Sequence, residues 1–209
     1  MIPVDVLFVF FLASILLALT PGPDNIFVLT QSALSGPRAG LIVTFGLCTG
    51  LVVHTTAVAL GVAVIFQTSA VAFTALKMAG AAYLVYLAWQ AFRAGASNLP
   101  GKEAPAIPLR RLYLRGIIMN VTNPKVSIFF LAFLPQFADP ERGSLVLQIF
   151  LLGAVFAAST ILVFGTVALF AGAIGQWLTR SDAAQRVMNR VAGTVFVLLA
   201  AKLLVTERS

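Results

Sequence analysis

Apolar residues run through this chain in long blocks cut by short polar connections. Six blocks can be marked, each near the ~20 residues that a helix needs to cross ~30 Å of hydrocarbon. They run from about Val6 to Leu29, Gly40 to Phe66, Val71 to Phe92, Tyr113 to Phe137, Leu145 to Ile174 and Val187 to Val205. The pattern predicts an all-α integral membrane protein of six transmembrane helices. Met1 to Asp5 carries no Lys or Arg, and the apolar run after it is long for a signal peptide, so it is expected to stay as a first span.

Two of the blocks are broken. Thr20-Pro21-Gly22-Pro23-Asp24-Asn25 interrupts the first. Proline has no N–H, so Pro21 and Pro23 leave the carbonyls of Leu17 and Leu19 without their helical partners. The fourth block contains Asn120, Asn123, Pro124 and Lys125, where Pro124 frees the carbonyl of Asn120. Pro135 does the same to Leu131. In lipid, unpaired backbone groups cost several kcal/mol each unless protein, water or a ligand satisfies them. Broken helices at membrane depth therefore point to a site.

The connections set the orientation. Arg38, Arg93, Lys102, Arg110, Arg111, Arg115, Arg180, Arg186 and Arg190 fall on one side, against Arg142, Lys202 and Arg208 on the other. By the positive-inside rule both termini are expected outside. Trp89, Tyr113 and Trp177 sit at block ends on the basic side, as an interfacial aromatic belt would. Ala94 to Pro108, rich in Gly, Pro, Ala and Ser, is the one sizeable linker. It divides a single membrane domain, residues 1–209, into repeat one (about 1–93) and repeat two (about 111–209), with a linker at about 94–110.

The halves resemble each other. Thr20-Pro-Gly-Pro-Asp-Asn-Ile26-Phe27-Val-Leu29 aligns with Thr122-Asn-Pro-Lys-Val-Ser-Ile128-Phe129-Phe-Leu131. Lys77-Met-Ala79-Gly80-Ala-Ala-Tyr83 aligns with Arg190-Val-Ala192-Gly193-Thr-Val-Phe196. Three spans is an odd number, so the repeats must insert inverted. Inverted repeats with helix breaks at matching positions are a transporter pattern.

Composition agrees. The chain is 60% apolar and 10% charged, with mean hydropathy +0.99, against about 25% charged residues in ordinary globular proteins. A soluble enzyme is excluded. The net charge of +7 does not imply nucleic acid, because the basic residues lie in the short loops. Cys48 is the single cysteine, which rules out an intramolecular disulfide, a redox pair or a thiolate metal centre. A three-span-repeat redox relay would need paired cysteines. A metal or other small-cation exporter would need more ligands than one His and one intramembrane Asp. A scaffold would leave the buried Lys and Asn unexplained.

Lys125 at a span centre costs roughly 2.5–3.5 kcal/mol on insertion scales, so it needs a partner inside the bundle. Asp24, the acid of the apolar blocks, is the obvious candidate for an ion pair. That pair either fixes packing or forms part of a binding site. In the second reading, Lys125 and the freed N–H groups after Gly22 bind a carboxylate. Asp24, Asn25, Asn120, Asn123 or the freed carbonyls of Leu17, Leu19 and Asn120 bind an amine. A zwitterionic amino acid needs both ends. The expected substrate-binding residues are thus Pro21, Gly22, Pro23, Asp24, Asn25, Asn120, Asn123, Pro124 and Lys125.

His54 suits proton coupling or a plain helix-to-helix hydrogen bond. Lys77 either snorkels to the outer surface or gates the site. Asn189 and Arg190 are read as interfacial. Gly46 and Gly50 predict a close helix contact, and Gly36-Pro37 a turn. The phenylalanines are read as packing or lipid-facing residues.

Taken together, Thr20-Pro21-Gly22-Pro23, Lys77-x-x-Gly80-Ala81-Ala82-Tyr83-Leu84, Asn120-x-x-Asn123-Pro124-Lys125 and Leu134-Pro135-Gln136-Phe137 resemble the LysE/RhtB family of bacterial amino-acid exporters. The resemblance covers nearly the whole chain. It implies a non-enzymatic carrier of the bacterial inner membrane that exports homoserine, threonine, leucine or lysine in exchange for protons. The family motifs fall on Pro21, Gly22, Pro23, Lys77, Asn123, Pro124 and Lys125. The lack of a second intramembrane acid favours neutral amino acids. The expected partners are the amino acid, the proton and the bilayer, with a homodimer left open; no cofactor, metal or nucleic acid is expected.

Overall fold

The computed structural model describes residues 2–68, 70–94, 107–173 and 182–205. Apart from short turns and breaks they are helical, with no strand among them. The expected linker falls largely outside the described residues, as do Lys102, Trp177, Arg180 and Arg208.

Helix α1 (Val4–Leu19) ends at the first break, and α2 (Pro23–Ser35) restarts after it. The two are bent by 63°. Pro23 sits at the first helical position, where its missing N–H costs nothing and its fixed φ suits the helix. Gly36, at φ 85°, ends α2 by taking the left-handed conformation that glycine adopts freely. Helix α3 (Pro37–Thr68) and α4 (Ala70–Arg93) follow.

The second half opens with α5 (Leu109–Val121), breaks, and restarts as α6 (Pro124–Ile128). Asn123 caps α6 by accepting the Lys125 N–H at 3.0 Å. The helix then widens to a π turn over Phe129–Phe133 and tightens to a 3₁₀ turn over Leu134–Phe137. The missing N–H of Pro135 accounts for the irregularity. The bend between Leu109–Val121 and Pro124–Phe137 is 49°. A turn leads to α7 (Leu145–Leu169), and α8 (Asp182–Val205) closes the fold. In that turn the Glu141 N–H and the Arg142 side chain hold the Asp139 carboxyl below its ordinary pKa.

Pro37–Gly61, Leu145–Leu169 and Gln185–Val205 are each long and apolar enough to cross a membrane. The two bent pairs bring the candidate spans from three to five. Every expected block lies on a helix or broken helix as far as it is described; the first runs on to Ser35, and the expected end of the fifth, Ile174, lies outside the described residues.

Packing is close where side chains are small. A Cβ on Gly46 would collide with the Tyr113 carbonyl, and the Gly46 and Gly116 backbones nearly touch. Gly50 is covered by Asn120, whose side chain lies 2.7 Å from where a Cβ would stand. The expected Gly46/Gly50 contact is thus the α3–α5 seam. Further contacts join α3 to α7, α1 to α7 and α4 to α8. The core between them is aromatic. Phe129 lies 4.8 Å from Phe133 and 5.3 Å from Phe156, and Phe10 lies 5.0 Å from Phe137. These phenylalanines are buried, which satisfies the packing half of their expectation.

Candidate functional site

The two breaks meet. Lys125, in the first turn of α6, sends its ammonium to the end of α1, donating to the Thr20 carbonyl at 3.0 Å and the Leu17 carbonyl at 3.4 Å. A helix C-terminus carries about half a negative charge and unpaired carbonyls, so the ammonium is well placed there despite its depth. Gly22 makes room for it; a Cβ at that position would stand 3.1 Å from Nζ.

This corrects the expected Asp24–Lys125 ion pair. Asp24 and Lys125 form no ion pair within 4 Å, unlike Arg142 and Asp139, which meet at 2.8 Å. The freed carbonyls of α1 compete successfully for the ammonium. Of the three carbonyls expected to receive a guest amine, those of Leu17 and Asn120 are engaged, and that of Leu19 is not. Leu17 accepts from Lys125, Ala18 from the Asn25 amide at 2.7 Å, and Asn120 lies 3.1 Å from His54 Nε2. A carbonyl only accepts, so that imidazole nitrogen carries a hydrogen.

Beside the breaks lies a cavity of about 560 Å³, within the ~300–1,000 Å³ of small-molecule sites. Pro21, Gly22, Pro23, Asn123, Pro124 and Lys125 form one wall. The opposite wall is Tyr83, Leu87 and Gln90 of α4 with Asn189, Ala192 and Phe196 of α8. The cavity continues to Trp89, Arg93 and Ala94, at the basic end of α4. There the Arg93 guanidinium lies 4.8 Å from the Trp89 ring centroid. Asn189 donates to the Ala94 carbonyl at 3.1 Å, tying α8 to the end of α4. No described carboxylate is on the wall.

The wall is rich in donors. No side chain caps α2, and the first hydrogen bond onto its opening turn is Ile26 N–H to the Gly22 carbonyl at 3.1 Å. Pro23 has no N–H, and those of Asp24 and Asn25, just behind the wall, have no backbone partner. The ammonium of Lys125 has three hydrogens, of which two carbonyls take two. This end suits an anion.

The expected site residues divide. The six on the wall come together. Asp24 and Asn120 are buried, off the wall, at 3% and 2% exposure. His54 and Lys77 are half-buried and also off it. Asn25 reaches back to α1 instead. The far wall was missed from sequence. Its one signal was the alignment of Tyr83 with Phe196, which now line the same cavity.

Residues 15–207 match the family model of the LysE type translocator. The chain is 35% identical over 196 residues, 94% of each chain, to the homoserine/homoserine lactone efflux protein of Salmonella typhi, and to the same degree to that of Salmonella typhimurium. It is 31% identical over 189 residues to an uncharacterized membrane protein of Vibrio cholerae, covering 90% of this chain and 91% of that one. No solved structure matches it.

Proposed function

Since the chain belongs to the LysE type translocator family and is a multi-pass bacterial membrane protein, we propose that it exports a small neutral amino acid of the homoserine, threonine or leucine type. The observation that carries this reading is the shared cavity of the two proline breaks, with the Lys125 ammonium on its wall. The substrate carboxylate binds the remaining hydrogen of Lys125 and the N–H groups that open α2. Its ammonium meets uncharged acceptors, such as the Tyr83 hydroxyl and the Gln90 and Asn189 amides. The printed name of the Salmonella relatives supports a substrate of homoserine size. Lys125 and Arg93 on the wall disfavour the alternative, a metal or small-cation exporter.

In this reading the protein has six spans in two inverted repeats. Spans one and four are the bent pairs, and α3, α4, α7 and α8 are the rest. The packing partners support it: exchanging the halves turns the α3–α5 contact into the α7–α1 contact, and returns α3–α7 and α4–α8 to themselves. Both termini face outside, and the basic end of the cavity faces the cytoplasm. Export runs against proton entry.

The test is exchange in proteoliposomes loaded with unlabelled amino acid. Labelled homoserine, threonine or leucine is expected to enter by counterflow. If no amino acid of a full panel moves, with or without a proton gradient, the reading is wrong.

A further inference from the structure

The polar residues at the breaks lie in two layers. One lines the cavity. The other, Asp24 and Asn120, lies behind it, with His54 on the Asn120 carbonyl. Asn123 belongs to both: it is on the wall, its Oδ1 holds the Lys125 N–H, and its Nδ2 has no partner.

The rear layer is short of hydrogen bonds. Asp24 Oδ1, Asn25 Oδ1, Asn120 Oδ1 and Asn123 Nδ2 are buried without a partner. More than nine in ten buried polar groups are bonded, so several orphans in one neighbourhood mark something exchangeable. Asp24 has no ion pair within 4 Å; the Asn123 and Asn120 amides are its hydrogen-bonding neighbours, and the Lys125 charge lies within electrostatic reach. α7, which also packs on α2, has no ionisable side chain. A carboxylate at this depth, with one oxygen unpartnered and no ion pair, is costly.

We propose that Asp24 carries the coupling proton, in a site behind the substrate cavity and joined to it through Asn123. One proton turns the carboxylate into a neutral acid. The acid supplies an O–H in a neighbourhood that holds two unpaired acceptors, Asn25 Oδ1 and Asn120 Oδ1. The proton enters from outside, moves with Asp24 through the change of access, and leaves to the cytoplasm as the amino acid is carried out. Protonating Asp24 removes a charge from inside the bundle. His54 is then a positioning residue that holds the Asn120 backbone.

The inference rests on the exporter reading, and the experiment separates the two. Wild type and Asp24→Asn are reconstituted, with the neutral amide standing in for the protonated acid. The amino acid used is the one that wild type exchanges best. Counterflow at equal pH and uptake driven by an imposed pH gradient are measured on both. Counterflow of Asp24→Asn is expected within about threefold of wild type, while gradient-driven uptake falls at least roughly tenfold. His54→Gln is expected to keep both activities. Gradient-driven uptake that survives in Asp24→Asn overturns the proposal. So does loss of counterflow in a well-inserted Asp24→Asn, which would return the residue to the substrate site. A wild-type flux that follows sodium, or ignores pH, also overturns it. Failure of wild type to exchange any amino acid removes the exporter reading itself.

Discussion

A lysine at mid-span must find oxygen inside the bundle, because its stem is too short to reach water. Lys125 finds the carbonyls of Thr20 and Leu17. Its position ties the second break to the first and leaves one N–H for a guest. Lys125→Met keeps the stem and removes the charge. A charge-assisted hydrogen bond is worth about 1.5–3 kcal/mol, so substrate affinity should fall roughly ten- to a hundredfold. Equilibrium binding of labelled amino acid to the purified variant checks this. The same geometry predicts that the carboxylate is the anchor. A methyl ester, or the lactone of homoserine, should compete at least roughly tenfold more weakly than the free acid in counterflow. Equal competition would place recognition elsewhere. That Lys125 needed an internal partner was legible in the sequence; which partner was not. Asp24 was the nearest opposite charge in composition, but the freed end of α1 is a negative pole that no residue letter announces.

Among elements, the α3–α5 seam is held by backbones that almost touch at Gly46 and Gly116. Gly46→Ala would drive a methyl into the Tyr113 carbonyl, which cannot move without shifting α5. The expected cost is about 1–3 kcal/mol, seen as a lower melting temperature in detergent. Gly61→Ala, with nothing within 4 Å of the new methyl, is the control and should be neutral or slightly stabilising. The existence and ends of the helices were readable, since apolar blocks, prolines and glycine turns are local signals. The π and 3₁₀ turns over Phe129–Phe137 were not. Proline marks a freed carbonyl but not how the next turn relaxes. The far wall was equally hidden. Tyr83, Gln90 and Asn189 sit in ordinary helix, and only the packing of α4 on α8 brings them opposite the breaks.

At the scale of the whole molecule, the cavity reaches from the proline breaks to the basic ends of the helices. If the basic ends face the cytoplasm, as proposed above, a carrier in this state offers its site to that side. The lone cysteine, Cys48, allows a direct probe. In a Cys48→Ala background, Gln90→Cys places one thiol on the cavity wall. Its reaction with a membrane-impermeant maleimide, added from the cytoplasmic side of inside-out vesicles, is the measurement that bears most directly on the central claim. Saturating amounts of a transported amino acid should slow labelling by about threefold or more, with no effect from its methyl ester. Labelling that proceeds at one rate, whatever transported amino acid is present, would show that the cavity between the breaks is not where the substrate binds.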